Sequence, residues 1–314
     1  MIAAQPVDAL RLIDQGAQRG IDGVLITLVG IEGSASRAIG TQMAVLADGR
    51  HVGSFSGGCI ETAIIAEAID VLNADAPATS GSRRVRYGIG SPYIDVRLPC
   101  GGGIDLLFTP RPDRAALREV LAQLDRREPA TLQLGDHCQH YMPSLRLIAL
   151  GHGEDLLALV RLARNYGLDV IAFAPPGEGA EIEGVLPLTT RTLLPAVPGP
   201  SPAGDAWTAI VFAFHDHDWE EFLLPQALAL HAFYHGAVGS RRTHHARVEA
   251  LRAAGVPAAH IDALRGSIGL IPATRQPATL ALSILAELVQ DYEACAGRPG
   301  WVRNVRNPGA LLQR

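Results

Sequence analysis

Two cysteines in this chain stand against runs of glycine: Cys59 in Ser56-Gly57-Gly58-Cys59-Ile60-Glu61, and Cys100 in Pro99-Cys100-Gly101-Gly102-Gly103. A thiol is a soft ligand and, as thiolate, a nucleophile, while glycine lets a bulky partner come close to the backbone. Cys59 also precedes a segment in which Ile60, Ile64, Ile65, Ala68, Ile69 and Leu72 recur at helical spacing. A thiol at a helix N-terminus meets unpaired N–H groups and the positive end of the dipole, which favours the thiolate. The same helix end suits a phosphate. The pattern therefore points to a ligand that is anionic and also offers sulfur something soft. A single cysteine is as readily a small buried hydrophobe, but two in matching glycine settings ask for a backbone reason.

Two more groups carry chemistry. Gly151-His152-Gly153 follows an apolar run and precedes a helical one, the context of a nucleotide-binding fingerprint. Its third glycine is replaced by Leu156, expected to crowd the helix against its strand, and Ala174-Pro175 stands where a ribose-binding carboxylate belongs. Glu154 and Asp155 place two carboxylates where a pyrophosphate would sit. Gly239-Ser240-Arg241-Arg242-Thr243, by contrast, puts two Arg at a helix start after a strand, which suits an anion. His215-Asp216-His217-Asp218 has the composition of a metal site, and its aspartates equally suit a helix cap.

The elements that must hold these residues divide into two patterns. Residues 1–142 read as mixed α and β: a helix at Val7 to Arg19, a strand at Gly23 to Val29, a hairpin over Gln42 to Ser54, the helix from Ile60, and strands at Arg83 to Tyr87, Tyr93 to Leu98 and Ile104 to Thr109. A helix near Asp113 to Arg126 and two short strands close this part. From 143 onward strands and helices alternate, as in a Rossmann-like doubly wound parallel sheet. The Pro- and Gly-rich stretch from Pro175 to Asp205 reads as a long surface excursion. The fold class is thus α/β, a mixed α+β N-terminal domain at 1–142 followed by the doubly wound domain at 143–314.

Composition narrows the function. The 314 residues are 48% hydrophobic and carry a net charge of -5, enough for two cores and without the basic footprint of a nucleic-acid binder. The four cysteines, Cys59, Cys100, Cys138 and Cys295, show neither CxxC pairs nor zinc spacing, which suits reduced thiols. No membrane partner is indicated, and a cytoplasmic location is expected.

Three segments together carry a family signature: Glu32-Gly33-Ser34-Ala35-Ser36-Arg37-Ala38-Ile39-Gly40, then Gly53 through Glu61, then Pro99-Cys100-Gly101-Gly102. They resemble the N-terminal domain of the xanthine dehydrogenase accessory protein family, XdhC/CoxI. Gly151-His152-Gly153, Gly239-Ser240-Arg241-Arg242 and Ser283-Ile284-Leu285-Ala286-Glu287 are similar to the family's second domain. The resemblance implies an accessory chaperone, not a turnover enzyme, with no catalytic residues. It implies binding of the molybdenum cofactor (molybdopterin), support of its sulfuration, and insertion into a molybdenum hydroxylase such as xanthine dehydrogenase. Cys59 and Cys100 would be the cofactor and molybdenum contacts, Gly57, Gly58, Gly101 and Gly102 would let it approach, and Arg241 and Arg242 would meet an anionic group. The implied partners are the apo molybdenum hydroxylase, a cysteine desulfurase, a cofactor nucleotidyltransferase and a second copy of the chain. NAD(P) use is not expected, and an NAD(P)-dependent oxidoreductase is the alternative reading.

Overall fold

The computed structural model describes residues 6–58, 60–73, 81–91, 101–177, 185–188, 204–214 and 217–296. The chain divides into two compact units, Met1–Pro143 and Ser144–Arg314.

In the first unit the described elements are α1 (Pro6–Gln18), β1 (Gly23–Glu32), β2 (Gln42–Leu46), β3 (His51–Val52), α2 (Glu61–Asn73), β4 (Arg83–Gly88), β5 (Gly103–Pro110), α3 (Arg114–Asp125), β6 (Ala130–Leu134) and β7 (His137–Tyr141). The expected strand at Tyr93 to Leu98 lies outside the described residues. Five strands form an antiparallel sheet in the order β3-β2-β1-β5-β4, and β6 and β7 form a separate hairpin. Alternation along β1 sends Val24, Ile26 and Leu28 to one face and Leu25 to the other. The first face is covered by α2 through Ile64, Ala68 and Leu72, which share one side of the helix. The second is covered by α1 (Leu10, Ile13), α3 (Leu117, Val120) and the hairpin (Leu132, Leu134). Both faces being buried explains why β1 is apolar from Gly23 to Val29 except at Thr27, whose hydroxyl accepts from the buried Gln42 amide.

The second unit contains β8 (Arg146–Gly151), α4 (Gly153–Tyr166), β9 (Asp169–Ala174), β10 (Val185–Pro187), β11 (Thr208–Ala213), α5 (His217–Leu228), β12 (Tyr234–Ala237), α6 (Arg241–Ala253), α7 (Ala258–Asp262), β13 (Leu264–Gly266) and α8 (Pro277–Ala296). Its six described strands are parallel, in the order β10-β9-β8-β11-β12-β13. In chain order this is 3-2-1-4-5-6, the arrangement of dinucleotide-binding sheets, with its switch point between β8 and β11. α4 and α8 pack on one face, and α5, α6 and α7 on the other. β10 corrects the reading of Pro175 to Asp205 as wholly irregular: Val185 and Leu186 pair with Ala172 and Phe173 along the sheet edge. Pro187 ends that strand, where a missing N–H costs least. Among the described residues no helix is long and apolar enough to cross a membrane.

Candidate functional site

The loop before α2 is organised by Glu61. Its carboxylate accepts from the N–H groups of Phe55 (3.0 Å), Ser56 (2.8 Å), Gly57 (3.2 Å), Gly58 (2.8 Å) and Ile60 (3.3 Å). It also accepts from the hydroxyls of Ser54 (2.8 Å) and Ser56 (2.7 Å). So many donors converge only because the backbone turns through left-handed conformations at Gly57 (φ 78°) and Gly58 (φ 129°), which other residues adopt at a cost. Partial burial raises the Glu61 carboxyl, but the hydrogen bonds from Ser56 and Ser54 outweigh it and hold the group at about 2, below an ordinary 4.5. This corrects one sequence expectation. Of the N–H groups at the helix start, that of Ile60 already faces a carboxylate of the same chain, so the end expected to receive a phosphate carries a built-in negative charge.

Two further loops meet at the same end of the first sheet. β1 ends at Glu32, which pairs with Gly103 at the start of β5, so the Glu32–Arg37 loop and the Gly101–Gly103 segment lie side by side. Gly102 is buried against that loop: a Cβ there would stand 2.8 Å from the Glu32 carbonyl oxygen and 3.1 Å from the Ser34 nitrogen. Gly102 in turn accepts the Ile89 N–H at 3.1 Å. Arg86 of β4 ties the corner together, donating to Asp105 (3.1 Å), to the Ile89 carbonyl (2.7 Å) and to Glu32. From the other side Arg37 donates to the Ser54 carbonyl at 3.2 Å, so the Glu32–Arg37 loop contacts both glycine segments.

The structure thus brings together three of the sequence motifs and sorts their glycines. Gly57, Gly58 and Gly101 are exposed, and a Cβ on any of them would meet nothing within 4 Å. These three offer open backbone to a ligand, whereas Gly102 serves close packing of the chain on itself. Cys59 and Cys100, each adjacent in sequence to an open glycine, lie outside the described residues. Cys138 is exposed on the β6–β7 hairpin, and Cys295 belongs to the last turn of α8. No cluster of metal-ligating side chains occurs among the described residues. Glu61 was missed by the sequence reading, although an acid in the first turn of a helix after Ser and Gly residues is a recognisable cue for such a cap.

In the second unit the fingerprint region departs from the dinucleotide-binding pattern in its side chains. Gly151 is needed where β8 crowds β11, since a Cβ would stand 2.6 Å from the Ala213 carbonyl oxygen. Leu156 does not disrupt the helix–sheet contact: it is fully buried in the core beneath α4. Glu154 is exposed in the first turn of α4, and Ala174, at the end of β9, is buried and offers no group to a ribose. His152 caps the helix by backbone only, its ring centroid 5.6 Å from that of Phe214. His215 and Asp216 lie outside the described residues. α6 is capped by Ser240, whose hydroxyl accepts the Thr243 N–H at 3.1 Å, and Arg241 and Arg242 are exposed. The Ser283–Glu287 motif is structural in role. Ser283 accepts the Ile271 N–H at 2.7 Å, and Glu287 accepts from Tyr234 (2.9 Å), Arg265 (3.3 Å) and the Gly269 N–H.

Comparison with known proteins matches both units. A family model described as the XdhC and CoxI family covers residues 17–88, and one described as the XdhC Rossmann domain covers residues 147–288. The chain is 32% identical over 313 residues to the molybdenum cofactor insertion chaperone PaoD of Escherichia coli K12, spanning 91% of this chain and 90% of that protein. It is 25% identical over 253 residues to the uncharacterized protein YqeB of Escherichia coli K12, spanning 79% of this chain and 40% of YqeB. The fold is shared with a crystal structure described as a xanthine dehydrogenase from Bacillus halodurans, at a TM-score of 0.68, 21% identity, and coverage of 97% and 99% of the two chains.

Proposed function

Because this chain belongs to the XdhC and CoxI family, we propose that it is a chaperone that binds the molybdenum cofactor and delivers it to an apo molybdenum hydroxylase. The observation that carries this reading is the meeting of the Glu32–Arg37, Ser54–Gly58 and Gly101–Gly103 segments at one end of the first sheet, with open backbone at Gly57, Gly58 and Gly101. The identity to PaoD over nine-tenths of both chains supports it.

In this proposal Cys59 and Cys100 supply soft sulfur donors to the cofactor, and the open glycines let its ring system lie against the backbone. The cofactor is cargo, held while its terminal sulfido ligand is installed and then released. A xanthine dehydrogenase-type hydroxylase receives it, a cysteine desulfurase supplies the sulfur, and a nucleotidyltransferase acts on the same cofactor. Binding requires no turnover by the chain itself. The test is the molybdenum and pterin content of the full chain purified from cells that make the cofactor. Co-purification of both in equal amounts supports the reading, and a well-folded protein that carries neither refutes it.

A further inference from the structure

We propose that the N-terminal turn of α6 is a binding site for a phosphoryl group. It lies beyond the carboxyl end of β12, on the side of the parallel sheet where such folds hold ligands. The usual place in this strand order is the N-terminus of α4, but Glu154 and Asp155 occupy its first turn and repel an anion. α6 has the opposite dressing. Its first turn contains no acid, and its first two residues are the exposed Arg241 and Arg242. Cations at the positive end of a helix dipole are unfavourable in isolation, and a bound anion reverses the sign.

A second observation comes from inside the unit. Arg247, on the same helix, is 3% exposed and forms a buried ion pair with Glu220 through its Nε, at 2.9 Å. Its Nη1 is buried and has no hydrogen-bond partner among the described residues. That nitrogen faces the turn before α6, 3.1 Å from where a Cβ on Gly239 would stand. A buried guanidinium N–H without an acceptor is costly, and an oxygen held at this turn would supply one. Ser240 fixes the turn by capping Thr243, leaving the N–H groups of Arg241 and Arg242 without partners within the helix. The ligand class that fits these donors is a phosphate monoester or a diphosphate.

This inference concerns the second unit and goes beyond the chaperone reading, because its test needs neither molybdenum nor pterin. The full chain, free of cofactor, is titrated calorimetrically with inorganic phosphate and inorganic pyrophosphate. Binding of either anion is expected, weakened at least tenfold in the Arg241→Ala/Arg242→Ala double variant and unchanged in Glu154→Gln/Asp155→Asn. Tighter binding of pyrophosphate assigns a diphosphate-bearing ligand, and tighter binding of phosphate a monoester. Arg247→Lys, which keeps the charge beside Glu220 but removes Nη1, is expected to weaken binding severalfold. The double variant, whose exposed side chains leave the core untouched, decides the matter if Arg247→Lys fails to fold. Failure of the wild-type chain to bind either anion at millimolar concentration, or wild-type affinity in the double variant, overturns the site.

Discussion

The carboxylate of Glu61 lies 2.8 Å from the backbone N–H of Gly58, so the residue that opens α2 also closes the loop in front of it. An anion built into the chain at this point turns the loop from a receptor for phosphate into a rigid frame. What the frame leaves exposed is the backbone of Gly57 and Gly58.

Replacing this carboxylate should loosen the loop and lower stability. Glu61→Gln keeps the size but halves the acceptor capacity and sets an amide against N–H donors. A loss of about 2 kcal/mol follows from removing a charged acceptor with several donors. The pH dependence has a definite sign. The folded carboxyl titrates at about 2 and the unfolded one near 4.5, so its contribution is complete above 4.5 and lost as pH falls toward 2. Urea unfolding of wild type and variant should differ at neutral pH and converge in strong acid; a constant difference across that range would show that ionised Glu61 does not hold the loop.

The first two glycines after Cys100 should behave differently. Gly102→Ala drives a methyl into the backbone of Glu32 and Ser34, a displacement costing about 1–3 kcal/mol. Gly101→Ala meets no neighbouring atom and carries only the left-handed backbone cost, about 1–2 kcal/mol. Hydrogen exchange separates them better than total stability does. Amides of the 32–37 loop should exchange faster in Gly102→Ala and at the wild-type rate in Gly101→Ala. Equal protection in the two variants would contradict the packing described.

Part of this architecture was legible in the sequence for a simple reason: buried periodicity survives reading one residue at a time. The spacing of Ile60, Ile64, Ala68 and Leu72 located α2, and the apolar run from Leu147 to Leu150 located β8. The class of the second unit was readable, since alternating strands and helices point to a parallel sheet. β10 and β13 were not, because three-residue edge strands carry no period and depend on a neighbour for their existence. The same limit applies to Glu61. Its type and place were visible, but the folding back of five N–H groups onto it arises from two left-handed glycines, which no composition rule reports. The role of Gly102 was likewise set by a partner strand seventy residues away in sequence, about the reach that local patterns lack.

The buried pair Arg247–Glu220 should be the most sensitive charge site in the second unit. Both side chains are at most 4% exposed, so removing Glu220 leaves the Arg247 charge buried without its carboxylate. Glu220→Ala is expected to cost about 3–5 kcal/mol. The exposed pair Arg84–Asp136 provides the contrast, and Asp136→Ala should cost less than about 1 kcal/mol. Unfolding midpoints of the two variants measured side by side would test the difference, and similar midpoints would show that burial does not set the cost.

Dinucleotides should bind weakly despite the strand order. The first turn of α4 carries Glu154 and Asp155, and β9 ends in buried Ala174 with no carboxylate for a ribose. Calorimetric titration of the full chain with NAD and NADP is expected to give no heat of binding at micromolar concentrations. Micromolar affinity for either would restore the oxidoreductase alternative.

The cysteines should divide into two that hold cargo and two that do not. Cys59 precedes α2 in the sequence, but Glu61 places a negative charge at that helix end and engages the N–H groups of Ser56, Gly58 and Ile60, which removes the electrostatic ground for ranking Cys59 above Cys100. Nothing then ranks one above the other, and each stands next to an open glycine, Gly58 or Gly101. Cys138 lies exposed on the β6–β7 hairpin, and Cys295 belongs to α8 of the second unit. Single Ser variants of the full chain, purified from cofactor-producing cells, should lose most of their bound molybdenum and pterin for Cys59 and for Cys100. Cys138→Ser and Cys295→Ser should retain wild-type amounts. Serine keeps the shape and a hydrogen bond but not the soft donor, so a loss confined to the first two identifies sulfur as the contact. Equal retention in all four variants would mean that the cargo is held by backbone and shape alone, and the thiols would have no part in it.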